Sequence, residues 1–291
     1  MKKRLIGLAM LAVGATAALA ASTVPGGTIT ASGTPISGIT AQAEAYASPD
    51  AAAEAGRHTA IRKCMAAAGY DYLPAPDFHT VDFNDNIGFK RLDVATAKAS
   101  GYASLQPSGP GEPAEGSTEA ALFADPAFVA ALSGARPEDD MVLHNGTGMG
   151  TSGQGCRGEA AKTIYGSMEN YILATGVAMN SLNSAAGAAM SDSGFQKAID
   201  SWKDCMSSSP YANFRSPADA VGAGVEAGGL NEFKIAVTDA TCREQVGFHG
   251  QLDALLDKYL TTRMQQLEPE ITKVTEIRKQ AASRAAELAA G

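Results

Sequence analysis

The sequence predicts an all-α protein built on a long antiparallel helical hairpin, with several shorter helices and two disulfide bonds. Apolar residues recur at steps of three and four through 156–190, and a second periodic stretch runs from 251 nearly to the end. Four cysteines are spread over the chain between these patterns. No segment of any length alternates in the manner of a half-buried strand. A helical hairpin held by disulfides is the fold that these observations favour.

The first arm of the hairpin begins at Cys156, directly after a glycine-rich loop over 146–155. Its recurring positions fall on one face of an α-helix, because residues three and four apart lie above one another. These positions are Ile164, Met168, Tyr171, Thr175, Ala178 and Leu182. Such a face has to be buried by another part of the chain, and the C-terminal stretch is its natural partner.

The second arm carries a heptad seam, which is the pattern of two helices packed along their length. The seam consists of Leu260, Met264, Leu267, Ile271 and Val274. Pro269 lacks a backbone donor and clashes with the preceding turn, so it is expected to kink or restart the helix. The seam fits an internal hairpin within a monomer, and a dimer interface is the alternative.

The N-terminal region is typical of an exported protein. Residues 1–20 combine a basic start, a short apolar run and small residues near Ala20, which predicts a secretory signal peptide. Retention of this run as a membrane anchor is the alternative. Residues 21–47 are rich in Ser, Thr, Gly and Pro and hold few large apolar side chains, so we predict a disordered leader.

A single all-helical domain is predicted over 48–291. Its first helix is expected to be capped by Ser48, with Pro49 in the first turn, and to stop at Gly69. Shorter helices are predicted over 91–100, 125–134, 195–206 and 218–225, and around 233–242. The segments near 104–119 and 136–155 are dense in glycine and proline, which predicts mobile loops.

The charge balance disfavours two classes of partner. The chain has 23 basic and 31 acidic residues, a net charge of −8. Loss of residues 1–20 would remove three basic residues and no acid, which leaves 20 against 31, or −11. An acidic surface repels phosphate backbones and anionic lipid heads, so nucleic-acid and membrane-surface roles are not expected.

The four cysteines are expected to form two disulfides, for which three connectivities exist. A weak internal repeat selects one of them. Residues 61–65 resemble residues 202–206, and a Cys-Arg pair follows each copy downstream. We therefore predict the bonds Cys64–Cys156 and Cys205–Cys242. A metal site is disfavoured, because neither a second cysteine nor a histidine stands at ligand spacing from any of them.

The motifs around these cysteines resemble those of uncharacterised exported four-cysteine helical proteins of actinobacteria, many of them lipoproteins. The motifs are Cys64-Met65 with Gly69-Tyr70, Gly155-Cys156 with Glu159-Ala160, Trp202 with Cys205-Met206, and Ala240-Thr241-Cys242-Arg243. The resemblance implies export and paired cysteines over most of the chain from about residue 51. It implies no catalytic residue, and the family's lipid-attachment cysteine is missing here.

No catalytic, metal or cofactor site is predicted. The glycines over 148–153 match the pattern G-x-G-x-x-G, but a dinucleotide site also needs a preceding strand and a following acidic residue in a βαβ unit. The four histidines are scattered, and His144 beside the glycine loop is the one that merits attention as a ligand or base.

We therefore expect a secreted, non-enzymatic binding protein of the cell envelope or extracellular space, acting through its helical hairpin on an unidentified protein or envelope ligand. An accessory subunit of an export or signalling complex and a hydrolase of envelope polymers are the alternatives. Five aromatic residues near the cysteines either pack against the disulfides or line a ligand groove. They are Tyr70, Tyr72, Trp202, Tyr211 and Phe214.

Overall fold

A computed structural model describes residues 31, 35–73, 80–106, 117–136, 141–143 and 150–290, with the side chains of 141–143 excluded. The predicted signal peptide, and most of the predicted leader before residue 35, lie outside these ranges. The described chain is helical apart from one short ribbon, which confirms the predicted fold class. Among the helices of these ranges, none combines the length and apolar character that a membrane span needs.

The helices of the N-terminal half are α1 (Ile39–Ala47), α2 (Ala51–Ala67), α3 (Phe83–Asn86), α4 (Val94–Ser100), α5 (Thr118–Phe123) and α6 (Pro126–Ser133). Those of the C-terminal half are α7 (Gly155–Tyr165), α8 (Met168–Ile172), α9 (Ala178–Asn180), α10 (Asn183–Ser191), α11 (Ser193–Met206), α12 (Pro217–Ala227), α13 (Gly229–Gln245), α14 (Phe248–Gln266) and α15 (Glu268–Ala290). A 3₁₀ turn spans Ala103–Leu105, and a π-helical turn, Leu173–Val177, joins α8 to α9.

The segment predicted as an irregular loop over 136–155 contains a small antiparallel ribbon. Strand β1 (Met141–Leu143) pairs with β2 (Gly150–Ser152), with Val142 opposite Thr151. Each strand has only three residues, too few for an alternating pattern to be visible in the sequence. Residues 144–149 between the strands, including His144, lie outside the described ranges.

The two predicted arms do run antiparallel, as contacts between them show. Arg284, Arg278 and Arg263 donate in that order to the backbone carbonyls of residues 164, 174 and 181. Each arm is broken, however, and the first arm is not one continuous helix. It bends at Gly166, which has a left-handed backbone with φ of 82°, and again at the π-helical turn.

The three arginines sit where the first arm loses regular hydrogen bonding. The carbonyl of Ile164 belongs to the last turn of α7, that of Ala174 to the π-helical turn, and that of Ser181 to the end of α9. Backbone acceptors left free at helix ends need other donors. The second arm supplies these donors, which ties its register to the breaks in the first.

The predicted leader is wrong for residues 39–47, which form α1 against α14. Asp257 accepts hydrogen bonds from the backbone of Gly38 and from the backbone and hydroxyl of Thr40, at 2.7–3.1 Å. Free donors at a helix N-terminus are stabilised by such a carboxylate. The side chains of Ala43 and Ala47 are fully buried. A cap that comes from 217 residues further along the chain stabilises this helix.

The start of α2 also differs from the prediction, because Asp50 rather than Ser48 is the cap. Its carboxylate accepts from the backbone N–H of Ala53 at 2.8 Å. Along α2, Gly56 lies against α15: a Cβ added there would stand 2.3 Å from the Cβ of Ala285. The close approach of these two helices therefore requires glycine at this position.

Both predicted disulfides, Cys64–Cys156 and Cys205–Cys242, are confirmed, each with a Cα–Cα distance of 5.6 Å. Cys64–Cys156 joins α2 to α7 beside a small apolar cluster that includes Phe128. Cys205–Cys242 joins α11 to α13 at the main core. Each disulfide thus lies in a different hydrophobic cluster of the molecule.

Candidate functional site

The predicted seam lies inside the fold and is not a docking surface. Leu260 and Val274 are fully buried and Leu267 is 8% exposed. Met264 and Ile271 are partly buried and pack against the same core. The chain's own N-terminal helices and first arm cover the seam, so its buried residues are used in packing within the monomer.

The predicted aromatic groove is also absent as a single feature of the described chain. Tyr70 and Tyr72 each pack edge-on against Phe128, with ring centroids 5.2 Å apart, in the small cluster. Tyr211 and Phe214 stack on one another beside the main core. The two pairs belong to different clusters.

Trp202, the fifth predicted residue, is fully buried in the main core. Its indole N–H donates to the Oδ1 of Asp239 at 2.9 Å. The five aromatic residues therefore pack in the clusters that hold the two disulfides, as the first of the two interpretations expects.

Asp239 is the centre of a buried polar network that we call the Asp239 node. Arg243 binds both of its oxygens, from Nε at 2.8 Å and Nη2 at 2.7 Å, and Tyr102 donates to Oδ2 at 3.0 Å. With Trp202, the carboxylate therefore accepts four hydrogen bonds. Burial and the negative charge of Asp239 raise the pKa of the Tyr102 hydroxyl. Each oxygen has two donors, so the node is saturated and structural.

A second buried network lies on α2, the helix of the other disulfide. Glu54 accepts from the hydroxyl of Tyr165 at 2.7 Å and from Nε of Arg57 at 2.8 Å. The Arg57 guanidinium also lies 5.6 Å from the ring centre of Tyr171. Each disulfide thus joins a helix that carries a buried acid–arginine pair, and both of these pairs are internal.

A cleft of about 720 Å³ lies between α1, residues 80–91 and α14. Small and hydroxyl side chains line much of it. Its charged lining consists of Glu44, Asp82, Arg91, Asp253 and Asp257. Four carboxylates and one guanidinium give the cleft a formal excess of three negative charges.

Some of these carboxylates are tied to backbone donors on one side only. Asp82 caps α3, its Oδ1 accepting from the N–H groups of Asn84 and Asp85. Glu44 accepts from the N–H of Phe83 through Oε1 at 3.0 Å. Among the described residues, nothing donates to the second oxygen of either group. Acceptors remain available in the wall of the cleft.

Asp253 is the carboxylate of the cleft that forms an ion pair with Arg91. Its Oδ1 accepts from Nη2 of Arg91 at 2.5 Å and from Nδ2 of Asn84 at 3.2 Å. The Arg91 side chain is 52% exposed and that of Asp253 is 35% exposed. No donor in the described ranges reaches Oδ2 of Asp253. An exposed ion pair with one hydrogen bond is weak.

A second cavity, of about 310 Å³, lies on the other side of Arg91. Its lining includes Asp93, Arg243, Glu244 and His249, together with glycines at the start of α14. Because Arg91 lines both cavities, it stands at the boundary between them. His249 and Asp253 are one helical turn apart on α14.

The buried side-chain atoms without a partner in the described ranges belong to two residues near this boundary. Within the described chain, three buried side-chain nitrogen or oxygen atoms have no hydrogen-bond partner: Oδ1 of Asn84 and both ring nitrogens of His249. Native proteins pair most such groups, because an unpaired one costs about 1–3 kcal/mol. His249 lines the second cavity, and Asn84 donates to Asp253, which lines the cleft.

The electrostatic environment differs between the two sides of the boundary. Burial raises the pKa of Glu44, and the negative charges of Asp82 and Asp253 add to that effect, against the hydrogen bond from Phe83. Burial lowers the pKa of His249 to about 4, and the positive charges of Arg243 and Arg91 act in the same direction.

Sequence reasoning did not bring the charged residues of the cleft together as one site. They are spread over 44–257 and match no motif, because helix packing rather than spacing brings them together. His249 was treated as one of four scattered histidines. The one available signal was the run His249, Asp253, Asp257, which at steps of four lies on one face of α14.

Comparison with known proteins does not assign a function to this cleft: the chain matches no protein-family profile, curated protein sequence or solved structure. Across the described ranges, no group of three or more His, Cys, Asp or Glu side chains is placed to hold a metal ion.

Proposed function

We propose that the protein is an exported binding protein that holds ligands carrying protonated amines in the acidic cleft, in the cell envelope or outside the cell. The observation that carries this proposal is a cleft with four carboxylates and one guanidinium, in which several carboxylate oxygens lack a donor. Ammonium groups supply both the positive charge and the N–H donors that such a wall can accept.

The ligand is expected to be small or slender. A cavity of about 720 Å³ lies within the range of small-molecule sites. The formal charge of the cleft attracts cations over about 10 Å at moderate ionic strength, so binding should weaken as salt is added. Binding to α1, residues 80–91 and α14 replaces the earlier expectation of binding through the hairpin seam.

Export is supported by three features of the chain. Two disulfides, with no free cysteine in the described ranges, are typical of oxidising compartments. The N-terminal residues have the pattern of a signal peptide. The resemblance to exported four-cysteine proteins of actinobacteria points the same way.

Calorimetric titration with spermine at low salt tests the proposal. We expect saturable binding that weakens about tenfold when Asp253→Asn removes one charge and one acceptor from the cleft. The matched control is Asp200→Asn, which removes an exposed carboxylate on α11, outside both cavities. Choline is the ligand control, because its ammonium has no N–H to donate.

Three results would contradict the proposal. The first is absence of spermine binding, and the second is equal affinity for spermine and choline. The third is an equal loss of affinity in Asp253→Asn and Asp200→Asn, which would show attraction to the acidic surface as a whole. Intact mass of the protein recovered outside the cell tests export, since loss of residues 1–20 places Ala21 first.

Hydrolysis of an envelope polymer is a second candidate, favoured by one observation. Glu44 has a raised pKa and shares the cleft with Asp253, and a carboxylic acid near a carboxylate is the pair that glycoside hydrolases use. Release of soluble fragments from purified cell wall, abolished by Glu44→Gln, would support this function. Unchanged release in that variant would remove Glu44 from any such reaction.

A further inference from the structure

Arg91 lines both cavities and binds Asp253, a carboxylate in the wall of the cleft. We propose that Arg91 is the chain's own occupant of a ligand subsite, which a ligand ammonium takes over on Asp253 while the rest of the ligand extends into the second cavity. This inference rests on the proposed function. It narrows the class of ligand to molecules that carry two or more ammonium groups on unbranched aliphatic chains.

The first argument is that the Arg91–Asp253 pair can be exchanged. The guanidinium is half exposed, and within the described chain one of its nitrogens makes a hydrogen bond. Arg243, in contrast, binds both oxygens of Asp239 with the two side chains almost fully buried. Solvent-exposed pairs of the first kind contribute little to stability, so a ligand cation can compete for Asp253.

The second argument is the unpaired acceptor behind Asp253. Asn84 is 1% exposed, and its Nδ2 donates to Oδ1 of Asp253 at 3.2 Å. Its own Oδ1 has no partner. An ammonium that takes the place of Arg91 on Oδ1 of Asp253 has two further donors, one for the free Oδ2 of that carboxylate and one for this amide oxygen.

The third argument is that the second cavity has carboxylates of its own. It is lined by Asp93 and Glu244, and its other arginine, Arg243, is neutralised by Asp239. Oε1 of Glu244 accepts from the N–H of Val94, and no described donor reaches Oε2. A second ammonium beyond Arg91 would therefore meet carboxylates, as the first does.

A free polyamine and the lysine side chains of a peptide present the same chemistry. Both place ammonium groups on flexible aliphatic chains. Spermine and trilysine therefore serve as the two probes, and putrescine serves as the short diamine. If the ligand spans both cavities, spermine should bind more tightly than putrescine under the same conditions.

The test compares Arg91→Gln with Lys90→Gln, which removes the same charge from the neighbouring residue. The Lys90 side chain lines neither cavity. Freeing Asp253 should tighten spermine binding about fivefold in Arg91→Gln, whereas the general change in charge in Lys90→Gln should alter it by less than about twofold. Thermal melting of both variants checks that each is folded.

Nitrogen-15 NMR of the arginine side chains gives an independent readout. The Nε–H signal of Arg91 should shift on spermine addition to the unaltered protein, and that of Arg243 should stay in place. Equal effects of the two substitutions, or an unshifted Arg91 signal, would overturn the exchange while leaving the proposed function intact. Absence of polyamine binding in every variant would overturn both. Tighter binding of trilysine than of spermine would identify a peptide as the source of the cations.

Discussion

The molecule holds two Arg–Asp pairs that differ in every respect that matters for binding. In the Asp239 node the carboxylate is fully buried, and four donors satisfy its two oxygens. At the cleft Asp253 is partly exposed, and its two donors in the described chain, Asn84 and Arg91, both reach Oδ1. The same two residue types therefore build a closed network at one place and an open one at the other.

The two pairs differ in what their charges contribute to the fold. Removal of one partner from a buried, saturated pair leaves an uncompensated charge inside the protein, so such a pair matters to the fold itself. An exposed pair beside unpaired atoms contributes little to folding. Its place at the boundary of two cavities fits the ligand site that we propose.

The largest expected effect follows from breaking the node. Asp239→Asn should lower the free energy of unfolding by about 3–5 kcal/mol, because the buried Arg243 loses its counter-charge. Urea unfolding of this variant and of the unaltered protein measures the change. A loss below about 1 kcal/mol would show that the node is not the structural centre described above.

A smaller effect should come from crowding Tyr102, which donates to Asp239. A Cβ on Gly224 would stand 2.3 Å from the Tyr102 ring, so Gly224→Ala should cost about 1–3 kcal/mol. Gly222→Ala on the same helix is the control, because a Cβ there meets nothing within 4 Å. That control should be neutral or slightly stabilising, since alanine favours helices. Equal destabilisation of both variants would contradict the close packing of Tyr102.

Acid should weaken the fold through His249 at the open site. Burial lowers the pKa of its ring from 6.5 to about 4 in the fold. The unfolded chain therefore takes up the proton first as the pH falls. The contribution of this residue is therefore full above pH 6.5 and decreases toward pH 4. Arg243 and Arg91 reinforce the lowered pKa, and Asp253 and Asp82 oppose it.

The effect is expected to be about 1–2 kcal/mol, because the ring is partly exposed to solvent. Melting temperatures at about pH 7 and about pH 4.5 measure it, with His249→Gln as the variant that cannot titrate. Asp192 adds little in this range, because its stabilisation is lost only below its ordinary pKa of 3.8, toward the pKa of about 2 that hydrogen bonds from Lys258 and Gly194 give it in the fold. An identical acid shift in the variant would assign the sensitivity to other groups.

The smallest effect on stability is expected for Asp253→Asn. An exposed pair contributes about 0–1 kcal/mol, so the melting temperature should change little, even though polyamine binding weakens. Stability and affinity measured on the same sample separate the two roles. A large loss of stability would place Asp253 with the buried node and remove the contrast between the two sites.

The sequence allowed prediction of features that depend on local pattern or on chain-wide spacing. Helical periodicity predicted the class, and the repeated cysteine motif predicted both disulfides. The leader was wrong at 39–47 because the cap of α1 comes from Asp257, which no local pattern reveals. The first arm was predicted as one helix, but it is broken. Arginines of the second arm donate to the carbonyls at these breaks, and such distant support is not visible in the local pattern.

The candidate site was less accessible to prediction than the fold. Aromatic residues near the cysteines drew attention, but burial of Trp202 and the separation of the other rings placed them in cores. The acids of the cleft become a group only when α1 docks on α14. Unpaired atoms such as Oδ1 of Asn84 are properties of packing, so residue types cannot reveal them.

A crystal structure of the protein grown with spermine tests the central claim most directly. The claim predicts an ammonium within hydrogen-bond distance of Asp253 and Asn84, the Arg91 guanidinium moved away, and an unchanged Asp239 node. Spermine bound elsewhere on the acidic surface, with Arg91 still paired to Asp253, would contradict it.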